Sequence, residues 1–104
     1  MNRERLEELI EEALIDCYDE YEQFAGMEAT LADELTFPLN ATALGDPVIV
    51  IGIDQKSSVE RGLMVTIDKA GSIYAFPLSE LDFVDLESSD EEWIAAFRMW
   101  VDDT

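Results

Sequence analysis

Residues 16 to 24, Asp-Cys-Tyr-Asp-Glu-Tyr-Glu-Gln-Phe, place Asp16, Asp19, Glu20 and Glu22 among three aromatics, and Gly26 follows shortly after. On a helix, spacings of three and four put Asp16, Asp19 and Glu20 on one flank, with Glu12 one turn before. Glu22 falls toward the far side of the wheel. At most three of these carboxylates can converge, so a coordination shell needs ligands from another segment. A second acidic group, Glu28, Asp33 and Glu34, supplies candidates just ahead of Leu-Thr-Phe-Pro-Leu. Asp33 and Glu34 fall at the end of a short helix, where the macrodipole disfavours negative charge unless a cation compensates. Hard oxygens from two connected helical pieces suit calcium, which takes six to eight oxygen ligands at about 2.3–2.6 Å and accepts carbonyls and water among them. Magnesium would keep most of its own water. The D-x-[DN]-x-[DN]-G-x5-E spacing of a calcium loop is absent.

The alternative for residues 16–22 is a solvated helix face. Two features weigh against it. Ile15 and Tyr18 sit among the acids, which predicts partial cover on that side. No Lys or Arg lies between Arg5 and Lys56, so the crowded like charges call for a counterion from outside. The loop acids Asp54, Glu60 and Asp68 offer a second, exposed set that solvation explains as well. The run Asp82, Asp85, Glu87, Asp90, Glu91, Glu92 reads as the capping and solvating acid of the last helix.

Composition narrows the function classes. The 104 residues contain 25 acids against six Lys and Arg, a net charge of −19, and no histidine. Such a chain repels nucleic acid and anionic lipid and attracts cations or basic proteins, with strong dependence on ionic strength. The lone Cys17 excludes an internal disulfide and a thiolate zinc cluster, and the absence of His removes Ser-His and Cys-His catalytic pairs. No apolar run reaches membrane-spanning length. The opening Met-Asn-Arg-Glu-Arg-Leu is a charged helix start rather than a signal peptide. The expectations are one domain over 1–104, a cytoplasmic location and no enzyme activity.

The elements that would position these residues follow from periodicity. Leu6, Leu9, Ile10, Ala13, Leu14, Cys17, Tyr21 and Phe24 form one apolar stripe at helical spacing, with Asn2 as N-cap and Arg3 and Arg5 badly placed for the dipole. Gly26 is predicted to end this helix and let the chain fold back, so that a shorter helix with Met27, Leu31 and Leu35 inward brings the two acidic groups together. From Leu35 the period becomes two. A strand through Leu39 and Ala41, a turn at Gly45-Asp46-Pro47, a central strand Val-Ile-Val-Ile-Gly-Ile covered on both faces, Leu-Met-Val-Thr-Ile, a hairpin turn at 68–71 and Ser-Ile-Tyr-Ala-Phe make four strands. Pro38 marks an edge or a strand start. Residues 78–90 read as an irregular connection. A capping box of Ser89 with Glu92, or Ser88 with Glu91, opens a last helix buried through Trp93, Ala96, Phe97, Trp100 and Val101. The fold class is therefore α+β: an N-terminal helical pair, a small curved antiparallel meander of about four strands, and a C-terminal helix.

The blocks Tyr18–Gly26, "LADELTFPLNA" at 31–41, "VIVIGID" at 48–54, "YAFPLSEL" at 74–81 and "EEWIAAFRMW" at 91–100 resemble the CcbP-type family of small bacterial calcium-binding proteins, in order and over most of the chain. The resemblance implies a compact α+β calcium binder without EF-hands that buffers or regulates free calcium. It implies Asp33, in the L-x-D-x-L-x-FP block, as the leading ligand, with Asp19, Glu20 and Glu22 from the acidic segment and Glu34 beside Asp33. Ala32 and Glu34 depart from the family pattern, which there carries an acid and an amide. A monomer binding Ca2+ is the leading reading. The rival is an acidic interaction module that docks a basic protein through Ile15 and Tyr18. General acidity suited to a salty cytoplasm is a third.

Overall fold

A computed structural model describes residues 2–103, which form two compact units. One holds the chain up to Leu35 and from Glu87 onward, and the other is Thr36–Leu86.

The first unit consists of three helices: α1 (Arg3–Ala13), α2 (Glu20–Glu34) and α3 (Ser88–Asp103). Asn2 caps α1, its side-chain oxygen accepting the Glu4 N–H at 2.8 Å, as its type and position predict. α1 lies chiefly against α3, burying Leu6, Leu9 and Ala13 on its side and Trp93, Ile94, Ala96 and Phe97 on the other. Each such fully buried large apolar side chain is worth roughly 1.5–3 kcal/mol. The two arginines that oppose the α1 dipole find acids instead: Arg3 pairs with Glu7 at 3.1 Å and Asp103 at 3.4 Å, and Arg5 with Glu92 at 3.3 Å. Phe97 and Trp100 stack at a tilt, centroids 6.3 Å apart. Val101, expected on the buried stripe, is exposed.

The helix boundaries differ from the sequence reading. α1 stops at Ala13, and the chain turns through 14–19 with Asp16 at φ 60°. α2 then runs unbroken through Gly26. Cys17, Tyr21 and Phe24 therefore do not continue the α1 stripe, and Tyr21 is 64% exposed. Gly26 is not a break but a close approach. A Cβ there would lie 2.8 Å from the Ala13 carbonyl oxygen and 2.8 Å from Cys17 Sγ. Met27, Leu31 and Leu35 are buried as predicted. α3 starts at Ser88, with the Glu91 N–H donating to the Glu87 carbonyl. Neither serine precedes the helix, so the predicted capping box is not formed.

The second unit is an antiparallel sheet of five strands, not four: β1 (Leu39–Ala43), β2 (Asp46–Ile53), β3 (Met64–Lys69), β4 (Ser72–Pro77) and β5 (Leu81–Phe83), in the order β4-β3-β2-β1-β5. β5 lies in the segment read as irregular. Its three residues are too short for a period to show. β1 begins directly after Pro38, between β2 and β5, so the proline marks a strand start and not an edge. Leu44 and Gly45 make the β1–β2 turn, both at positive φ, and Ala70-Gly71 make the β3–β4 turn in the same way. Leu39, Ala41, Ala43, Val48, Val50, Val65 and Ile67 are buried on one face. β2 is central, but Ile49 and Ile51 on its other face are each 46% exposed, so the expected cover on both faces is not found. A bulge at Ile51 shifts the β2–β3 register between Val50 and Gly52.

Candidate functional site: the carboxylates of α2

The five expected ligands all belong to α2 or its cap. Asp19 is the N-cap in extended conformation, its Oδ1 accepting the Glu22 N–H at 2.8 Å. Glu20 and Glu22 occupy the first turn and are exposed. Asp33 and Glu34 form the last turn, also exposed. At 1.5 Å per residue, the two groups stand about 20 Å apart along one helix axis. The structure brings Asp19, Glu20 and Glu22 together at one end and Asp33 with Glu34 at the other. It does not bring the two ends together, because the chain does not fold back at Gly26. Among the described residues no three His, Cys, Asp or Glu side chains converge as a metal-holding group. A cation at either end would therefore need main-chain carbonyls and water beside one or two carboxylates.

The two ends differ electrostatically. The N-terminal acids sit where the dipole already welcomes negative charge, and Asp19 has a structural task as cap. The C-terminal pair opposes the dipole, and no basic residue stands in the last turn. The helix end also turns carbonyl groups outward beyond the Leu31 carbonyl, which accepts the Leu35 N–H at 3.0 Å. A cation is favoured there by carboxylate, carbonyl and dipole together. The donors are all oxygen, which fits calcium and gives a soft metal nothing to prefer.

The exposure of the linker also departs from expectation. Ile15 is 73% and Tyr18 81% exposed, so the acidic side is open and not partly covered.

Two of the three loop acids of the sheet unit, Asp54 and Asp68, are committed to structure, while Glu60 is exposed. Asp54 Oδ1 accepts the Lys56 N–H at 2.8 Å and Oδ2 accepts the Thr66 hydroxyl at 2.7 Å. The Thr66 hydroxyl, then the Lys56 amide, hold its carboxyl below the ordinary value of 3.8. Ser57 Oγ accepts the Met64 N–H at 2.8 Å and closes the same loop. Asp68 accepts the Gly71 N–H at 2.9 Å in the β3–β4 turn. Asp90, grouped with the solvating acids on sequence, is 1% exposed in the first turn of α3. The signal that could have marked it is its spacing of three, four and seven ahead of Trp93, Ile94 and Phe97, which puts it on the buried stripe of the helix.

No described helix is long and apolar enough to cross a membrane. No curated protein matches the chain in sequence. Two solved structures share the fold. One is described as the crystal structure of Anabaena CcbP (23% identity, TM-score 0.84, covering 97% of this chain and 92% of that one). The other is described as a calcium binding protein in the calcium-binding form (23% identity, TM-score 0.82, 98% and 93%). At that identity they speak for the fold, three helices with a five-stranded antiparallel sheet. The model of the CcbP family, described as calcium binding, matches residues 7–101. With nearly the whole sequence matched, this chain belongs to the CcbP calcium-binding family.

Proposed function

We propose that this chain buffers or regulates free calcium in the cytoplasm as a monomeric binding protein without catalytic activity, and that the C-terminal end of α2, Asp33 and Glu34, is its principal calcium site. The family match over residues 7–101 carries the choice of ion. The placement of two carboxylates against the helix dipole with no basic neighbour in that turn carries the choice of site. Asp19, Glu20 and Glu22 form a weaker, exposed site at the opposite end. Binding neutralises part of a net charge of −19, so self-repulsion falls as calcium loads.

Isothermal titration at about 0.15 M salt tests this reading. Saturable calcium heat is expected, with Asp33→Asn weakening the tightest site and Glu87→Gln leaving it unchanged. At free calcium a hundredfold above Kd, linkage adds about 2.7 kcal/mol, and the melting temperature rises beyond what sodium of equal ionic strength gives. Absence of saturable heat sinks the proposal.

A second reading has its own observation: Ile15, Tyr18 and Tyr21 stand exposed among Asp16, Asp19, Glu20 and Glu22. Apolar and aromatic contacts ringed by carboxylates suit a basic protein partner. Capture of such a partner that ignores chelator but fails in high salt supports it.

A further inference from the structure

Strand β4 ends the sheet, hydrogen-bonded to β3 alone. Its sequence, Ser-Ile-Tyr-Ala-Phe-Pro, holds no charge, and its register with β3 runs without a bulge from Met64↔Pro77 to Lys69↔Ser72. Free edges are ordinarily blunted by charges, bulges or brevity. The opposite edge, β5, follows that rule, being three residues long with Asp82 at its centre. β4 does not.

The ladder shows which groups face outward. The Leu78 N–H donates to the Leu63 carbonyl at 3.0 Å. Antiparallel alternation then makes 65↔76, 67↔74 and 69↔72 the hydrogen-bonded pairs. Ile73 and Ala75, opposite Asp68 and Thr66, therefore turn their N–H and C=O groups away from β3, toward the open edge. Ile73 is 58% and Tyr74 52% exposed.

A cavity of 470 Å³ opens at this edge, lined by Asp54, Lys56, Arg61, Ile73, Tyr74 and Ala75 among others. In so acidic a chain this concentration of positive charge is unusual. Arg3, Arg5 and Lys69 are ion-paired with carboxylates. Lys56 and Arg61 form no ion pair among the described residues; the Lys56 charge acts only weakly on Asp54, the one acid in the lining, which the Thr66 hydroxyl and the Lys56 amide hold.

We infer that the β4 edge is a strand-addition site for an extended acidic peptide, which pairs with the outward main-chain groups of Ile73 and Ala75 and seats a carboxylate between Lys56 and Arg61. Main-chain bonds supply affinity and the cationic cavity supplies selectivity, the division of labour in β-augmentation. A second copy of this chain is a poor occupant, since two edges would bring two charges of −19 together. An acidic peptide meets the same long-range field, but near physiological ionic strength that field is screened beyond about 8 Å, and the cavity lining itself carries two cations, Lys56 and Arg61, against one carboxylate, Asp54.

The test is titration of the isotope-labelled, calcium-saturated full chain with the capped peptide Thr-Val-Glu-Val-Thr-Val, followed by amide shifts and hydrogen exchange. Shifts and slowed exchange centred on Ile73 and Ala75 are expected, with affinity about tenfold lower for the Gln-for-Glu peptide. Ala75→Pro removes one outward N–H without touching a β3–β4 bond, and a similar tenfold loss is expected. Should that variant fail to fold, Lys56→Glu with Arg61→Glu serves instead, and must shift preference to the Lys-for-Glu peptide. No saturable shift to about 1 mM peptide, shifts centred on Ile49 and Val84, or wild-type binding by either folded variant would overturn the inference. Calcium titration of the same samples reports on the α2 site separately, so failure here leaves that reading untouched.

Discussion

Replacing Gly26 with alanine separates what a helix prefers from what this packing permits. In an exposed helix interior, Gly→Ala stabilises by about 1 kcal/mol. Here the new methyl would stand 2.8 Å from the Ala13 carbonyl oxygen and 2.8 Å from Cys17 Sγ. The oxygen belongs to the main chain at the end of α1 and has no rotamer with which to yield. The thiol is anchored more loosely, its hydrogen bond to the Ile15 carbonyl being 3.5 Å long. Overpacking of this kind costs about 1–3 kcal/mol. With two contacts this short the upper part of that range applies, and a net loss of about 1–2 kcal/mol remains after the helix gain. For a chain of this size that lowers the melting temperature by about 5–10 °C. Thermal melts by circular dichroism, with chelator present to exclude linkage to calcium, measure the shift. Adding Cys17→Ala should recover only part of it, because the carbonyl contact persists. On the same helix, exposed Ala25→Gly should show the ordinary helix penalty of about 1 kcal/mol. A Gly26→Ala protein that melts higher than wild type would refute the close approach of α2 to the end of α1.

Three further outcomes follow from single contacts. Thr66→Val removes the main cause of the low Asp54 pKa, so the carboxyl midpoint read by NMR should rise toward 3.8. Because the folded pKa is depressed, the Asp54 contribution to stability is complete above the unfolded value and lost as pH falls through the folded one. The variant should therefore be less stable than wild type above about pH 4, and the gap in urea denaturation should close as pH falls through the folded value of Asp54. Asp90→Ala, removing a buried carboxylate in the first turn of α3, should cost about 2 kcal/mol in urea denaturation, and Asp90→Asn less. A loss within 0.5 kcal/mol, ordinary for a surface change, would contradict its burial. Asp19→Ala should cost about 1 kcal/mol through the lost cap while Asp19→Ser retains it. Titration of both with calcium separates the capping role from the ligand role.

The sheet face opposite the buried residues explains a misreading of β2. Val-Ile-Val-Ile-Gly-Ile is apolar at every position, and a strand of that kind is ordinarily covered twice. Ile49 and Ile51 are instead half in solvent, and Ile49 lines a groove of 620 Å³ together with Pro47 and Val84. Hydrophobicity alone reports that a residue tolerates burial. It does not report whether anything lies against it.

Local chemistry determined much of this protein. The α+β class, the Asn2 cap, the buried stripes of Met27, Leu31 and Leu35 and of Trp93, Ala96 and Phe97, and the Ala70-Gly71 hairpin follow from period, capping and turn propensity, which act within a few residues. Charge and the missing histidine confined the ligand to hard cations or basic partners, and the ordered blocks from Tyr18 to Trp100 pointed to the calcium-binding family. Tertiary structure decided the rest. Gly26 reads as a break until the end of α1 is seen pressing against it. The carboxylates of residues 19–22 and 33–34 read as halves of one site until a continuous helix holds them at opposite ends. Asp90 reads as solvated until the fold buries it. In each case the sequence records which residue is present, while its role depends on an atom supplied by a part of the chain beyond the range over which local pattern has meaning.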